Sequence, residues 1–265
     1  MRRANILCPI KYMGGKSRMV PALLRLIPPH TCYCEPFGGA GRLLLAKPRS
    51  KVEVWNDLDS SLANFFLCCQ QDVGRVLAEL EWLPYSQELY NRWKREPLPE
   101  EPFAKAARWF YLVRNAFGGD FRHGWSTSPH KSSAQHYVSA KAALRQFAQR
   151  LEGVHIGHED FEACIRRWDS KDTCFYIDSP YMELNDYYGP SFTEPDHKRL
   201  AQVLHQIQGK AMVSYYPHTL VEELYEGWQR LEWEGFVSAD KGNGKARSRS
   251  VEWILTNWAD TDTML

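Results

Sequence analysis

The sequence predicts an α/β protein built on a Rossmann-like sheet, and three observations carry that reading. Short apolar, β-forming runs recur along the chain and each stops at an acid: Val52-Glu53-Val54-Trp55-Asn56-Asp57, Val154-His155-Ile156-Gly157-His158-Glu159-Asp160 and Cys174-Phe175-Tyr176-Ile177-Asp178. A glycine-rich stretch, Glu35-Pro36-Phe37-Gly38-Gly39-Ala40-Gly41-Arg42, leads into Leu43-Leu44-Leu45-Ala46, which reads as the start of a helix. Between Leu67 and about Leu151 the short strands give way to segments of helical spacing. Strands that alternate with helices give a largely parallel sheet, and ligands bind outside the carboxyl ends of its strands.

Taken in chain order, Lys11-Tyr12-Met13-Gly14-Gly15-Lys16-Ser17 comes first. Its Gly-Lys-Ser invites a phosphate-loop reading, but Ile10 stands where that loop needs a glycine. A tyrosine and a lysine beside a glycine turn suit the carboxylate of an amino-acid-like ligand instead. The glycine loop at 35–42 is not a dinucleotide fingerprint either, because Leu44 occupies the third required glycine position. Its glycines let the backbone approach a ligand closely. Asp57, at the tip of the next strand, is placed to accept the two hydroxyls of a ribose, whereas Asp59 reads equally as a solvated turn acid.

The helical stretch divides into Val73–Trp82, Ser86–Arg95, Phe103–Phe117 and Tyr137–Leu151. A proline- and glutamate-rich break at 96–102 separates two of them, and Gly118–Ser133 is a polar loop carrying Arg122, His123, Trp125, His130 and Lys131. Residues 71–150 therefore read as a helical insertion, flanked by 1–70 and 151–265. Asp160-Phe161 suits an adenine, carboxylate to amino group and ring to face, and serves equally as a helix N-cap followed by a core phenylalanine. At Asp178-Ser179-Pro180-Tyr181 an acid, a proline-restrained turn and an aromatic ring follow a strand, a set able to grip a flat, amino-bearing base. Late in the chain, Lys241–Arg249 has four cations, two glycines and no acid, which suits phosphate contact or plain solvated surface.

With 265 residues, 44% of them hydrophobic, the chain can bury an α/β core and a smaller appended domain. A net charge of +1 gives no global nucleic-acid signal, so any basic surface is local. Seven cysteines without a Cys-x-x-Cys pair read as reduced thiols rather than disulfides or a metal site. With neither a signal peptide nor an apolar stretch of membrane-spanning length, a soluble, cytoplasmic protein is expected.

The ordered set Tyr12-Met13-Gly14-Gly15-Lys16, Glu35–Gly41, Asn56–Asp59, Glu159–Phe161 and Asp178–Tyr181 resembles the adenine-specific DNA methyltransferases of the Dam type. Further stretches are similar to that family at Arg108–Gly119, Ser191–Ala201 and Glu252–Trp258, so the likeness covers nearly the whole chain. The resemblance implies a methyltransferase sheet that binds S-adenosylmethionine, with 71–150 as target-recognition domain and double-stranded DNA as partner. Tyr12 and Lys16 then meet the methionine end of the cofactor, Glu35, Phe37 and Gly39 wall it, Asp57 takes the ribose, and Asp160 with Phe161 takes the adenine. Asp178 sits at that cofactor and, with Ser179, Pro180 and Tyr181, holds the target base. Arg114, Asn115, Arg122, Lys245, Arg247 and Arg249 are expected at the DNA. No metal is implied; a monomer is expected, and a cognate restriction endonuclease is left open.

The implied chemistry starts from a poor nucleophile, since the lone pair on adenine N6 is delocalised into the ring. The Asp178 carboxylate and the residue-179 carbonyl draw its two hydrogens into a geometry that frees the lone pair for the methyl group, leaving S-adenosylhomocysteine. The base must leave the duplex stack, which costs a few kcal/mol. Ser179 departs from the family, which usually has proline there; the carbonyl is retained, and the change bears on the rigidity of the turn. Amino-methylation of cytosine in DNA, and a catalytically weak DNA-binding relative, are the alternative readings.

Overall fold

A computed structural model describes residues 8–11, 16, 18–119, 124–181, 192–236 and 249–259. The described strands form one seven-stranded sheet in the order β3-β2-β1-β4-β5-β7-β6. In chain order they are β1 (Cys32–Glu35), β2 (Val52–Asn56), β3 (Val154–Gly157), β4 (Thr173–Ile177), β5 (Lys210–Tyr215), β6 (Gln229–Phe236) and β7 (Arg249–Thr256). Strands β1, β4 and β5 run parallel, with Tyr33 opposite Cys174 and Tyr176 opposite Met212. Strand β7 runs antiparallel to both β5 and β6, pairing Tyr215 with Trp253 and Trp233 with Glu252. The Rossmann-like α/β sheet expected from the sequence is present. The chain lays β1, β2 and β3 outward in one direction, then starts again beside β1 with β4. The gap between β1 and β4 is thus the topological switch point, where such sheets open a ligand crevice.

The backbone divides into two compact units, the first drawn from Met1–Ser17, Gly38–Pro48 and Trp55–His158, the second from Arg18–Phe37, Arg49–Val54 and Glu159–Leu265. Among the described residues, 71–150 is helical. Its elements are the end of α3 (Ser60–Leu80), α4 (Gln87–Arg95), α5 (Pro102–Asn115), a single 3-10 turn at Phe117–Gly119, and α6 (Ser133–Leu151). Helix α3 begins well before the predicted segment because Asp59 caps it, accepting from the Ser61 and Leu62 amides at 2.9 and 3.2 Å. It breaks its helical geometry once, at Asp72 (φ −159°, ψ 87°). Helix α6 also starts earlier than its apolar spacing suggests, since Ser132 caps it through the Gln135 amide. An aromatic core holds this unit, with Phe65 stacked on Phe110 and Trp55 on Phe66 at ring distances of 5.6 and 3.9 Å.

The second unit carries α1 (Val20–Leu26), α7 (Phe161–Trp168), α8 (Glu194–Leu204) and α9 (Thr219–Leu224) with most of the sheet. Strand β4 is buried along its whole length, as a strand covered on both faces must be. All seven cysteines are free thiols. Among the described residues no helix is long and apolar enough to cross a membrane, and no group of His, Cys, Asp and Glu is arranged to hold a metal.

Candidate active site

In the first unit the glycine loop is shaped around one indole ring. A Cβ on Gly38 would lie 2.2 Å from Trp55 Nε1, inside the ring, so only glycine fits beneath the buried tryptophan. Gly41, with φ of 62°, turns the chain into α2 (Arg42–Ala46) through the left-handed region that glycine enters without strain. Trp55 Nε1 donates to the Gly39 carbonyl at 3.2 Å, and the Gly38 amide donates to the Asn56 carbonyl at 2.7 Å. The loop is therefore laced to the end of β2. There, the half-buried Asp57 accepts from the Gly39 amide at Oδ2 (2.8 Å) and from the Asp59 amide at Oδ1 (2.9 Å). Burial raises its pKa to about 6 against the pull of those two amides, with Asp59 adding to the rise.

In the second unit Glu35 ends β1 buried, accepting from the Tyr33 hydroxyl at 2.8 Å on the same strand face. Burial, then the Glu35 charge, pushes that phenol well above its usual range. Phe37 follows half-buried, stacked on Phe161 at 5.3 Å and edge-on to Phe192 at 5.6 Å. Asp160 is the N-cap of α7, its Oδ1 accepting from the Glu162 amide at 2.9 Å. Both its oxygens also receive the Arg199 guanidinium, at 2.7 and 2.9 Å, and that guanidinium lies 4.1 Å over the Phe161 ring. Arg199 holds the Asp160 carboxyl below the usual carboxylate range. The Asp160-Phe161 pair is thus an N-cap with a buried phenylalanine, the plainer of its two sequence readings, and it carries an arginine clamp that the sequence did not announce.

Asp178 comes directly after β4, at the carboxyl edge of the switch point. Its Oδ1 accepts from Ser214 Oγ at 3.1 Å and from the Tyr181 hydroxyl at 3.2 Å. Tyr181 is buried, its ring edge-on to Tyr216 at 4.7 Å and its hydroxyl 3.5 Å from Glu252 Oε2. Burial, then the Asp178 and Glu252 charges, raises the Tyr181 phenol well above its usual range. Ser179 is buried with its hydroxyl donating to Tyr215 Oη at 2.9 Å, while Pro180 is half-buried. Ser214, Tyr215 and Glu252 escaped the sequence reading because they surround the turn only through the pairing of β5 with β4 and β7.

Lys16 is half-buried. Arg114 is half-buried near the end of α5 and donates to the His136 carbonyl at 3.0 Å. Asn115 has no exposed surface, and its backbone carbonyl accepts from the Ser126 amide at 2.7 Å. Arg249 opens β7. Tyr12, Arg122, Lys245 and Arg247 lie outside the described residues.

The chain is 25% identical to a DNA adenine methylase of Salmonella typhi, over 82% of this chain and 83% of the relative. It is 24% identical to a DNA adenine methylase of Serratia marcescens, covering 83% and 85%. A type II methyltransferase, M.CviBI, from a Paramecium bursaria Chlorella virus is 20% identical over 85% and 88%. A family profile described as D12 class N6 adenine-specific DNA methyltransferase matches residues 12–239, from the first glycine turn to past the end of β6. With an acid-proline-tyrosine turn at the switch point and a match of that extent, the chain belongs to the D12 class of N6 adenine-specific DNA methyltransferases.

Proposed function

We propose that this DNA adenine methyltransferase uses S-adenosylmethionine and works on a flipped-out base, with Asp178 and the residue-179 carbonyl as the two acceptors for the amino group. The observation that carries the reading is Asp178 itself, a carboxylate at the end of the central strand whose Oδ1 is fixed by two hydroxyls. An oriented acceptor draws one amino hydrogen of the base, the residue-179 carbonyl draws the other, and the nitrogen lone pair is released from the ring. Tyr181, wedged against Tyr216, keeps the carboxylate in place and offers a ring edge to the base.

S-adenosylmethionine supplies, when bound, an electrophilic methyl group on a sulfonium sulfur. The donor set suits it. Each Asp57 oxygen accepts one amide and keeps capacity for a ribose hydroxyl. Asp160 spends three of about four acceptor sites on Glu162 and Arg199, which leaves room for one adenine hydrogen bond. Phe37, half-buried and backed by Phe161, offers the flat apolar surface that a purine needs, Glu35 and Gly39 complete the wall, and Tyr12 with Lys16 serve the methionine end by their motif. We assign residues 71–150 to target recognition, with Arg114, Arg122 and the cations at 245, 247 and 249 at the phosphates. Asn115 is assigned there through the helix end it supports. The bacterial and viral relatives favour a cytoplasmic place of work.

The test is Asp178→Ala. Methyl transfer is expected to fall by about a hundredfold or more while duplex binding and melting temperature stay near wild type, because an interaction made in the transition state is lost. Nucleoside mass spectrometry should find N6-methyladenine as the wild-type product. Wild-type rates in Asp178→Ala would remove the mechanism.

A further inference from the structure

We propose that the chain Ser179–Tyr215–His197 is a positioning device, which holds the peptide of residue 179 by hydrogen bonds where the family's turn uses a proline ring. The inference rests on the reading of the turn just given. A proline fixes φ covalently, whereas a serine leaves two soft torsions on the peptide that presents the acceptor carbonyl. Here the serine is tied down. Its side chain is buried, its hydroxyl donates to Tyr215 Oη at 2.9 Å, and that oxygen is bonded to His197 Nδ1 at 2.7 Å.

The anchor is rigid because its parts come from different elements. Tyr215 ends β5, with its neighbours fixed by pairing to β4 on one side and to Trp253 of β7 on the other. His197 lies on α8 without exposed surface, braced edge-on by the Phe192 ring at 4.6 Å. Burial lowers the His197 imidazole to about 4 and raises the Tyr215 phenol, so both partners are neutral around pH 7. A buried chain of neutral hydrogen bonds leaves no charge that competes with Asp178, and breaking one link leaves an unpaired polar group inside. Ser179 thus acts on the substrate through its carbonyl and on the fold through its hydroxyl, while Tyr215 and His197 position it.

The experiment compares Tyr215→Phe and Ser179→Ala in the wild-type chain, and Tyr215→Phe again in a Ser179→Pro background. Each mild variant keeps its shape and loses the anchor. Single-turnover rates are expected to fall about tenfold in both, with KM for DNA and for S-adenosylmethionine within about twofold and a combined Ser179→Ala/Tyr215→Phe variant no slower than either. Ser179→Pro should transfer methyl groups at a measurable rate, and adding Tyr215→Phe to it should change that rate by less than about twofold. Equal losses in both backgrounds would make Tyr215 a packing residue only, and full activity in Ser179→Ala would leave the hydroxyl idle. A folded but inactive Ser179→Pro would also overturn the proposal, because the serine would then do something that proline cannot. Asp178→Ala run alongside separates the cases: if it stays active, the reading of the whole turn has failed, and not merely the anchor.

Discussion

Asp57 and Asp160 are both strand-end carboxylates proposed to hold one nucleoside, yet their surroundings shift the two pKa values in opposite directions. Asp57 is met by two backbone amides, and burial outweighs them, so its pKa rises to about 6. Asp160 faces a guanidinium across both oxygens and its pKa falls. The contrast teaches that a carboxylate at a strand end takes its chemistry from its partners rather than from its place. An acid that is easily protonated binds hydroxyls best when ionised and responds to pH near the working range. One locked in an ion pair does not respond there.

The largest effect should come from Asp57→Ala, which removes a carboxylate expected to accept two hydroxyls. Binding of S-adenosylmethionine should weaken by about 1–3 kcal/mol, roughly fivefold to over a hundredfold, by calorimetry at pH 7.5. The pH arm is sharper. Because the folded pKa is raised above the ordinary 3.8, ionising Asp57 costs stability, and that cost appears as pH climbs through about 6. Wild-type stability should therefore decline over that window while cofactor affinity grows, and the alanine variant should show neither trend. A flat wild-type affinity between pH 5 and 7.5 would sink the ribose role.

How much of this was legible differs between the two acids. The sequence places both at strand ends, because an apolar run that stops at an acid is a local signal. The order of motifs likewise pointed to the family and the Rossmann-like sheet. Arg199, which decides the state of Asp160, lies 39 residues away on α8, and no local spacing links the two. The same holds for Tyr215 and His197 behind Ser179: three elements meet only once β5 pairs between β4 and β7. Asp59 shows the reverse case: its sequence suits a ribose acid and a solvated turn acid equally, whereas it caps α3, whose start lies ahead of the helical spacing.

A middle-sized effect is expected from Asp160→Ala. The N-cap of α7 is lost, for about 1 kcal/mol of stability, and Arg199 keeps Glu162 and Asp196 at 3.3 and 3.4 Å. The sign of the pH dependence is opposite to that of Asp57. With its folded pKa lowered, Asp160 contributes stability above the ordinary carboxylate range and loses it as pH falls through its depressed pKa, so variant and wild type should converge in urea melts at strongly acid pH. A gap that persists in acid would mean the cap, and not the charge, carries the contribution.

The smallest effect separates those two sources directly. Arg199→Lys keeps a cation beside Asp160, but an ammonium cannot match two oxygens at once and stacks less well on Phe161. The pair is partly exposed, with side chains 38% and 42% accessible, so solvent screens it and the stability change should be only a few tenths of a kcal/mol. The informative readout is the Asp160 titration by NMR. If the bidentate arginine depresses the carboxyl, the lysine variant should bring it back toward the ordinary range while leaving the α7 cap and its Glu162 amide bond intact. An unchanged titration would hand the effect to the helix N-terminus, whose amides also favour a negative charge. Asp160 and Asp57 would then both be held by backbone donors, and burial alone would separate them.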